Sequence, residues 1–307
     1  MESRQLIIVG GGPAGLTAGL YASRARLDVL LLESVAVGGQ LTRTYRIDNW
    51  PGEIEGIGGF DLAERMRLHS RNTGLNIAFA TLQAIRMEGK DKILVTDQGE
   101  FKALSLIIAT GATNALLGVK GEKEYLGRGV SYCATCDAPF YRDMRVAVIG
   151  GGETAAEEAI YLTRFAREVK LVHRREQLRA SKILQEELDK HKVERILSTV
   201  AVEITGQDQV TGLELLDLKT NKQSRLNLDG VFIFVGNIPQ TGFAAPGLAK
   251  NPDGFIITDQ ELRTGMAGVF AAGDCRQSPL KQVTTAVGEG ALAAFMAQKY
   301  LSEVEEK

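Results

Sequence analysis

The stretch QLIIVGGGPAG, residues 5–15, decides the fold because its pattern returns as RVAVIGGGETA at residues 145–155. In each copy an apolar strand leads into three glycines and a helical pattern, and a second apolar strand then ends at Glu33 or at His173. The same spacing of 140 residues separates the two glycine clusters and separates Glu33 from His173. Right-handed crossovers join such strand–turn–helix–strand units into parallel sheets. We therefore predict an α/β protein with two Rossmann-like domains, each with three layers around a parallel central sheet.

Composition and charge exclude several classes of function. The 307 residues include 36 Lys and Arg against 38 Asp and Glu, and the net charge of −2 rules out bulk attraction to nucleic acid or anionic lipid. No apolar run approaches the ~18 residues of a membrane span. A strand pattern begins at Gln5, where a targeting segment would otherwise lie, and three cysteines are too few for a secreted disulfide scaffold. We expect a cytoplasmic protein that binds neither nucleic acid nor a membrane.

Two polar, glycine-rich breaks divide the chain. Residues 111–121 follow the apolar run LIIA, and residues 236–242 follow the apolar run VFIFV. The second copy of the repeat lies between these breaks. This order predicts a domain inserted into another one, with residues 1–114 and 245–307 forming the first domain and residues 115–244 forming the inserted domain.

The two glycine loops are typical of dinucleotide-binding sites. In the first copy Gly10 permits a tight turn, Gly12 lets the backbone approach a pyrophosphate, and Gly15 lets helix and strand pack closely. The pyrophosphate binds the free N–H groups at the start of the helix. Glu33, at the end of the second strand, can accept hydrogen bonds from a ribose diol and repels a 2′-phosphate. The first copy therefore predicts FAD or NAD.

The second copy carries the opposite charge at the corresponding position. His173 is followed by Arg174 and Arg175, and Arg179 lies one turn further along the chain. Guanidinium groups form fork-shaped, charge-assisted hydrogen bonds with phosphate, so this copy predicts NADPH. The alternative interpretation is that these arginines form a solvated helix face.

A third segment favours FAD in the first domain. The sequence AAGD, residues 271–274, follows an apolar strand and places Asp274 next to Gly273 at the strand end. A carboxylate at that position can hold a ribityl hydroxyl of the flavin. The alternative is that the Gly-Asp pair simply forms a turn in a loop.

Cys133 and Cys136 are separated by two residues in the segment SYCATCD, residues 131–137. Such a pair can form a disulfide, hold a metal or be an inert buried pair. Zinc normally takes four ligands, and neither Cys275 nor the three histidines supply a second pair at ligand spacing. Two close thiols beside a carboxylate favour dithiol–disulfide exchange.

Asp137 is the candidate proton carrier of this exchange. It directly follows Cys136, and no histidine lies within 30 residues of that cysteine. Thiol–disulfide exchange needs a thiolate and a proton donor. We predict that Asp137 is the general acid or base; the alternative is that it caps a helix.

These motifs resemble, in type and order, those of the low-molecular-weight, bacterial-type NADPH-dependent thioredoxin reductases. The resemblance covers nearly the whole chain and rests on the two glycine loops, GGQLT at 38–42, DNWPG at 48–52, ATG at 109–111, CATCD at 133–137, HRR at 173–175 and GVFAAGD at 268–274. It implies a homodimer that passes electrons from NADPH to FAD, then to the cysteine pair and then to the disulfide of thioredoxin. By the same resemblance Cys136 lies next to the flavin, and Cys133 attacks the disulfide of the partner.

The resemblance extends the candidate binding residues, which we divide by cofactor. The predicted FAD contacts are Gly10, Gly12, Pro13, Ala14, Gly15, Glu33, Gln40, Leu41, Asn49, Ala109, Thr110, Gly111, Gly273, Asp274, Lys281, Gln282 and Val283. The predicted NADPH contacts are Gly150, Gly152, Glu153, Thr154, Ala155, His173, Arg174, Arg175 and Arg179. Cys275 lies outside the family pattern, and we assign it no role.

The surface beside the cysteine pair is a candidate dock for thioredoxin. Phe140 and Tyr141 follow the pair, and Arg128 precedes it. Exposed aromatic side chains near a redox pair suit a transient interface. Core packing is the alternative for Phe140.

Three related functions stay open as alternatives. A ferredoxin-fed thioredoxin reductase or a dithiol oxidase of the same fold is expected to lack the arginine cluster at residues 174–179. A non-catalytic dinucleotide-binding redox sensor would not need a complete dithiol together with two cofactor sites.

Overall fold

The computed structural model describes residues 2–44 and 47–305. The chain forms two compact units. Unit 1 consists of residues 1–113 and 238–307, and unit 2 consists of residues 114–237.

Seventeen strands and six α-helices are found in the described part of the chain. The strands are β1 (Glu2–Val9), β2 (Val29–Glu33), β3 (Asn76–Phe79), β4 (Leu82–Glu88), β5 (Asp91–Thr96), β6 (Gly99–Ile108), β7 (Ala112–Asn114), β8 (Val130–Ser131), β9 (Arg145–Gly150), β10 (Glu168–Val172), β11 (Glu194–Ile196), β12 (Thr199–Gly206), β13 (Val210–Asp217), β14 (Gln223–Asn227), β15 (Gly230–Phe234), β16 (Asn237–Pro239) and β17 (Val269–Ala271). The helices are α1 (Pro13–Arg24), α2 (Gly59–Asn72), α3 (Ala134–Asp137), α4 (Glu153–Leu162), α5 (Lys182–Lys190) and α6 (Val283–Glu305).

The chain leaves unit 1 through β7 and returns through β16, and these two strands pair with each other. The predicted boundaries lie after residues 114 and 244, whereas the units divide after residues 113 and 237. The second boundary falls earlier because the glycine-rich break contacts unit 1: the N–H of Gln240 donates a hydrogen bond to the carbonyl of Gly111, and that of Ala244 to the carbonyl of Gln83, both at 2.9 Å.

A mainly parallel sheet forms the centre of unit 1. The strand order is β3-β2-β1-β6-β5-β4; the first four strands run parallel, whereas β5 and β4 add to the edge in antiparallel orientation. Strand β17 pairs in parallel with the last residues of β6. Both faces of β1 are buried: Leu6 and Ile8 pack in the apolar cluster that contains residues of α1 and α6, and Ile7 and Val9 pack in a second cluster. Burial on both faces explains why these strands are continuous apolar runs.

Unit 2 has a five-stranded parallel sheet in the order β11-β10-β9-β15-β8. Alternate residues of β9 face opposite sides. Val148 packs with Leu162 of α4 and Leu188 of α5, whereas Ile149 packs with Leu213 of the separate antiparallel sheet β12-β13-β14. The structure confirms the predicted α/β class with parallel central sheets, and it adds two antiparallel segments that the repeat did not indicate.

Both copies of the repeat form the same local structure. Strand β1 ends at Val9 and α1 begins at Pro13, while β9 ends at Gly150 and α4 begins at Glu153. The two helices thus begin at positions 140 residues apart, the spacing seen in the sequence. No helix in the described residues is long and apolar enough to cross a membrane.

Helices α1 and α6 approach each other at a glycine. A Cβ atom built on Gly290 would lie 2.2 Å from the backbone oxygen of Ala14, whereas one built on Gly288 of the same helix would meet nothing within 4 Å. The close contact between the two helices therefore depends on Gly290 and not on Gly288.

We expect Gly290→Ala to lower the thermal unfolding midpoint, with a loss of about 2 kcal/mol, because the two helices must move apart to admit the methyl group. Gly288→Ala is the matched control. It should raise the midpoint slightly, by up to about 1 kcal/mol, since alanine is the better helix former and has room there. Circular dichroism melts of both variants measure the difference; equal midpoints would show that the helices do not depend on this contact.

Candidate active site

Cys133 and Cys136 are joined by a disulfide within unit 2. Cys133 lies in extended conformation at the N-cap of the short helix α3, and its sulfur accepts a hydrogen bond from the N–H of Cys136 at 3.2 Å. Both cysteines are partly exposed. The bond confirms that the two sulfurs predicted to exchange lie within bonding reach of each other, and partial exposure leaves them open to reaction partners.

The Asp137 carboxylate contacts a residue that the sequence analysis missed. The hydroxyl of buried Ser131 donates to Oδ2 of Asp137 at 2.6 Å and accepts the N–H of Cys133 at 3.0 Å. Asp137 ends α3 and occupies the N-cap position of the following 3₁₀ turn, where its side chain makes no capping hydrogen bond. The contact with Ser131 gives the carboxylate a partner other than a helix end, and its role as acid or base stays a prediction.

A buried carboxylate holds the other side of the cysteine turn. Glu122 is 2% exposed and accepts three hydrogen bonds, all at 2.7 Å, from the N–H groups of Leu117 and Gly118 and from the hydroxyl of Tyr132. Burial, together with Glu122, raises the pKa of Tyr132. Because Tyr132 directly precedes Cys133, this network anchors the main chain that carries the disulfide. In the sequence this network is marked by no more than a carboxylate in a glycine-rich segment.

The candidate docking residues behave differently from one another. Phe140 is 51% exposed. Tyr141 is partly buried and packs against the core of unit 2: its ring meets that of Phe232 edge-on with centroids 5.0 Å apart, and a Cβ atom on Gly230 would lie 2.3 Å from it. Its ring thus fills the space over Gly230, so Phe140 is the more exposed of the two aromatic candidates, and the dock itself stays a prediction. Arg128 is exposed, and its guanidinium donates to the carbonyl of Glu124 at 2.5 Å.

The first glycine loop combines two close contacts with one open position. A Cβ atom on Gly10 would lie 2.3 Å from the carbonyl oxygen of Ala109, and one on Gly15 would lie 1.8 Å from that of Gly10. A Cβ atom on Gly12 would meet nothing nearer than the Cα atom of Gly39 at 4.0 Å. Protein packing therefore explains two of the glycines, and the third leaves room above the helix start.

That open position lies at the N-terminus of α1. Gly12 is the N-cap and supplies no side-chain cap, Pro13 occupies the first turn, and that turn contains no acidic residue. The first N–H groups of a helix have no partner within the helix. They favour an anion, so this end of α1 can bind a pyrophosphate.

Glu33 is held rigidly at the end of β2. Its Oε2 accepts the N–H of Gly11 at 2.6 Å, and its Oε1 accepts the N–H groups of Ser34 and Val35 at 2.7 and 3.0 Å. Each carboxylate oxygen can accept more than one hydrogen bond. Glu33 is therefore fixed in position beside the glycine loop and can still accept hydrogen bonds from a diol.

The remaining candidate FAD residues surround the same end of the sheet in unit 1. Ala109, Thr110 and Gly111 directly follow β6, and a Cβ atom on Gly273 would lie 3.0 Å from that of Ala14. Leu41 and Val283 pack in one apolar cluster. Hydrogen bonds join Asn49 to Gln282 at 3.0 Å and Gln40 to the carbonyl of Ala112 at 2.8 Å.

Asp274 is a partly buried acid beside this cluster of residues. Partial burial raises the pKa of its carboxyl, while the nearby ammonium of Lys281 opposes the shift and Glu289 adds to it. Lys281 donates to the backbone carbonyl of Asp274 at 3.2 Å and lies over the ring of Phe255. A partly buried carboxyl group at a strand end suits a ligand with hydroxyl groups, such as a ribityl chain.

The second glycine loop, in unit 2, repeats this arrangement. A Cβ atom on Gly150 would lie 2.5 Å from that of buried Ala155, whereas one on Gly152 would meet only Nη2 of Arg179, at 3.8 Å. Gly152 caps α4 without a side-chain hydrogen bond. A second pyrophosphate can therefore bind here, with a guanidinium close by.

The three arginines of the predicted NADPH site follow β10. Arg174, Arg175 and Arg179 are exposed, and no ion pair with a carboxylate is found for any of them within residues 2–44 and 47–305. The N–H of Arg179 donates to the carbonyl of Gly151 at 2.7 Å, which ties the segment to the loop. Three exposed cations without acidic partners, one of them at an open helix start, suit a phosphate-bearing ligand.

Three other candidate NADPH residues take different positions. His173 is buried, with its ring against Gly151, where a Cβ atom would lie 2.2 Å from it; burial lowers the pKa of the imidazole. Its ring thus packs under the loop. Glu153 accepts the N–H of Ser181 at 2.8 Å, and Thr154 is exposed.

Comparison with known proteins agrees with this geometry. The family model described as pyridine nucleotide-disulphide oxidoreductase matches residues 4–290. The thioredoxin reductase of Listeria monocytogenes serovar 1/2a is 44% identical over 305 residues, covering 98% of this chain and 95% of that protein. The structure of thioredoxin reductase from Streptococcus pyogenes MGAS5005 matches with a TM-score of 0.93 at 44% identity and covers 98% of this chain and 99% of that one.

This chain belongs to the thioredoxin reductase family. The thioredoxin reductase from Giardia duodenalis has the same fold, with a TM-score of 0.94 at 36% identity over 98% of this chain and 100% of that one. Membership in the family confirms the resemblance drawn from the motifs. It also agrees with the disulfide between Cys133 and Cys136, because disulfide oxidoreductases require such a pair.

Within this thioredoxin reductase, we expect Glu122→Gln to destabilise the fold by about 2 kcal/mol, since one buried N–H group loses its acceptor. Glu124→Gln is the matched control, because Glu124 is exposed two residues away, and its unfolding midpoint should stay unchanged. Thermal melts followed by circular dichroism compare the two variants. Equal stability of the Glu122 variant and the unaltered protein would contradict an anchoring role.

Proposed function

We propose that this chain is an NADPH-dependent thioredoxin-disulfide reductase that uses FAD. The observation that carries the proposal is the disulfide of Cys133 and Cys136, partly exposed at the start of a short helix in the unit that also holds the glycine loop followed by the arginines. A disulfide and a nicotinamide site in one unit, with a second dinucleotide loop in the other, suit a flavin-linked relay. Thioredoxin is the partner that the names of the relatives suggest.

We propose FAD for unit 1 and NADPH for unit 2. Support for FAD comes from Glu33 and Asp274, which present carboxylates to sugar hydroxyls beside the open position at Gly12. Support for NADPH comes from the exposed side chains of Arg174, Arg175 and Arg179, the last of which lies at the second glycine loop. When bound, FAD supplies the redox centre between the nicotinamide and the cysteine pair.

The cysteines then act in sequence. Two electrons break the Cys133–Cys136 bond, and the resulting thiolate of Cys133 attacks a disulfide sulfur of thioredoxin to form a mixed disulfide. The thiolate of Cys136 attacks the Cys133 sulfur, which releases reduced thioredoxin and restores the original bond. Asp137 supplies and recovers a proton as the sulfurs change charge. The homodimer and the cytoplasmic location remain predictions from the resemblance and the sequence.

Colour changes of the purified protein test the electron path. We expect a yellow protein that is bleached by NADPH and recovers its colour when oxidised thioredoxin is added. Cys136→Ser should still be bleached by NADPH but should lose thioredoxin reduction, because no disulfide can form. Cys275→Ala is the control cysteine variant; Cys275 is fully buried, burial raises the pKa of its thiol to about 11, and we expect turnover to persist.

The outcomes separate the alternatives. A protein reduced by ferredoxin and not by NADPH would be a ferredoxin-fed reductase, and one whose colour returns with oxygen but not with thioredoxin would be an oxidase. A chain that binds both nucleotides but reduces no disulfide would be a sensor.

The arginines should set the preference for NADPH over NADH. We expect Arg174→Ala combined with Arg175→Ala to lower kcat/KM for NADPH by about 100-fold, since charge-assisted contacts with the 2′-phosphate are lost, and to leave NADH nearly unaffected. Arg167→Ala is the matched control, because Arg167 is exposed just before β10, at the opposite end of that strand. Equal losses with both nucleotides would contradict a role in recognising the 2′-phosphate.

A further inference from the structure

The hydroxyl group of Ser131 lies between the cysteine turn and the proposed acid. Ser131 is 2% exposed and ends β8. Its Oγ is 2.6 Å from Oδ2 of Asp137, accepts the N–H of Cys133 at 3.0 Å and lies 3.3 Å from the carbonyl oxygen of Cys133. One small hydroxyl therefore touches both the proposed proton carrier and the main chain of a reactive cysteine.

A serine hydroxyl has one proton to donate and two lone pairs that accept. When Asp137 is ionised, the Ser131 proton points to Oδ2, and the N–H of Cys133 occupies one lone pair. When Asp137 is protonated on Oδ2, its O–H can donate to the second lone pair, while the Ser131 proton rotates toward the carbonyl of Cys133. Each polar group keeps a partner in both states, without movement of a heavy atom.

We propose that Ser131 is a positioning residue for Asp137 that supports the carboxyl group in both of its protonation states. The inference rests on the proposed function, in which Asp137 exchanges a proton with the cysteines. Two-electron reduction of the disulfide gives two sulfur anions. Transfer of the Asp137 proton to one of them leaves one thiol, one thiolate and the Asp137 carboxylate, toward which the Ser131 proton turns.

The same contact ties the carboxyl group to the cysteine turn. The N–H of Asp137 donates to the carbonyl of Cys133 at 3.1 Å, so the backbone and the Ser131 hydroxyl both tie Asp137 to the cysteine turn. Of the two hydrogen bonds with Ser131, the one to the ionised carboxylate is the stronger because it is charge-assisted, and it therefore favours the ionised form. Loss of the Ser131 hydroxyl should therefore raise the pKa at which Asp137 releases its proton.

Other titratable groups lie near the turn and must be separated from Asp137 in any pH experiment. They are Cys133 and Cys136 on the turn, Tyr132 before it with its partner Glu122, Tyr141 after it, Glu157, Glu158 and Tyr161 on α4, and Arg164 following α4. Burial raises the pKa of Tyr141 and that of Glu158. The variant Asp137→Asn identifies the part of a titration that belongs to Asp137.

The test measures the redox equilibrium of the cysteine pair in the holoenzyme. The protein is equilibrated with dithiothreitol buffers over a range of pH, and its free thiols are then alkylated. Mass spectrometry gives the fraction of molecules in which the Cys133–Cys136 pair is oxidised. We expect the plot of the oxidised fraction against pH to show an inflection that is absent in Asp137→Asn. In Ser131→Ala this inflection should move up by about one pH unit, and in Ser131→Thr it should return to the pH of the unaltered protein. Ser105→Ala is the matched control, since Ser105 is also buried and donates only to a backbone carbonyl in unit 1, and its profile should not move.

The proposal is overturned if the unaltered protein lacks an inflection that depends on Asp137, or if the Ser131→Ala profile superposes on that of the unaltered protein. If Ser131→Ala does not fold, infrared difference spectra of the unaltered protein, oxidised minus reduced, decide instead. If the carbonyl stretching band of the Asp137 carboxyl group lies at the frequency of a hydrogen-bonded group, the proposal is supported. If it lies at the frequency of a carboxyl group without a hydrogen bond, the proposal is overturned. Neither measurement uses NADPH or thioredoxin, so failure to reduce thioredoxin would overturn the proposed function and leave the result on Ser131 standing.

Discussion

Backbone-to-backbone contact at the glycine turns is the constraint on which the structure of unit 1 depends. The methyl group that Gly15 lacks would lie 1.8 Å from the carbonyl of Gly10, and the one that Gly10 lacks would lie 2.3 Å from that of Ala109. Helix α1, strand β1 and the end of β6 therefore meet without side chains between them. This contact places the start of α1 at the carboxyl ends of the parallel strands, where ligands of such sheets bind.

Buried hydrogen bonds hold the cysteine turn in addition to the packing of Ala134 and Ala138 in the core of unit 2. Ser131 and Glu122 approach it from two sides, through the Asp137 carboxylate and through the hydroxyl of Tyr132. Both residues are buried, so an unpaired group at either position would cost free energy. The turn thus remains partly exposed for reaction with partners while its backbone is held by buried polar contacts.

The two glycine loops have the same backbone arrangement and differ in the charge of the residues beside them. Glu33 is fixed by three main-chain N–H groups, whereas Arg174 and Arg175 are exposed side chains without an acidic partner in the described residues. A fixed carboxylate suits recognition of a diol, whose hydroxyl positions are defined. Long cations suit a phosphate, which accepts hydrogen bonds from several directions. The charge at the end of the second strand of each repeat thus underlies the proposed choice of nucleotide.

The sequence alone determined the α/β class, the repeated glycine loops and the proximity of Cys133 to Cys136. Each of these follows from spacing within one short segment, where local geometry decides which atoms meet. Only the tertiary structure decided that Ser131 holds Asp137, that Glu122 anchors Tyr132, that Tyr141 packs over Gly230 and that His173 is buried. The hydrogen-bonded partners are near each other in sequence, but the path of the chain between them and the burial of each side chain are set by elements that come from elsewhere, such as β15, which pairs with β8. The spacing of residues within one segment carries no record of those neighbours.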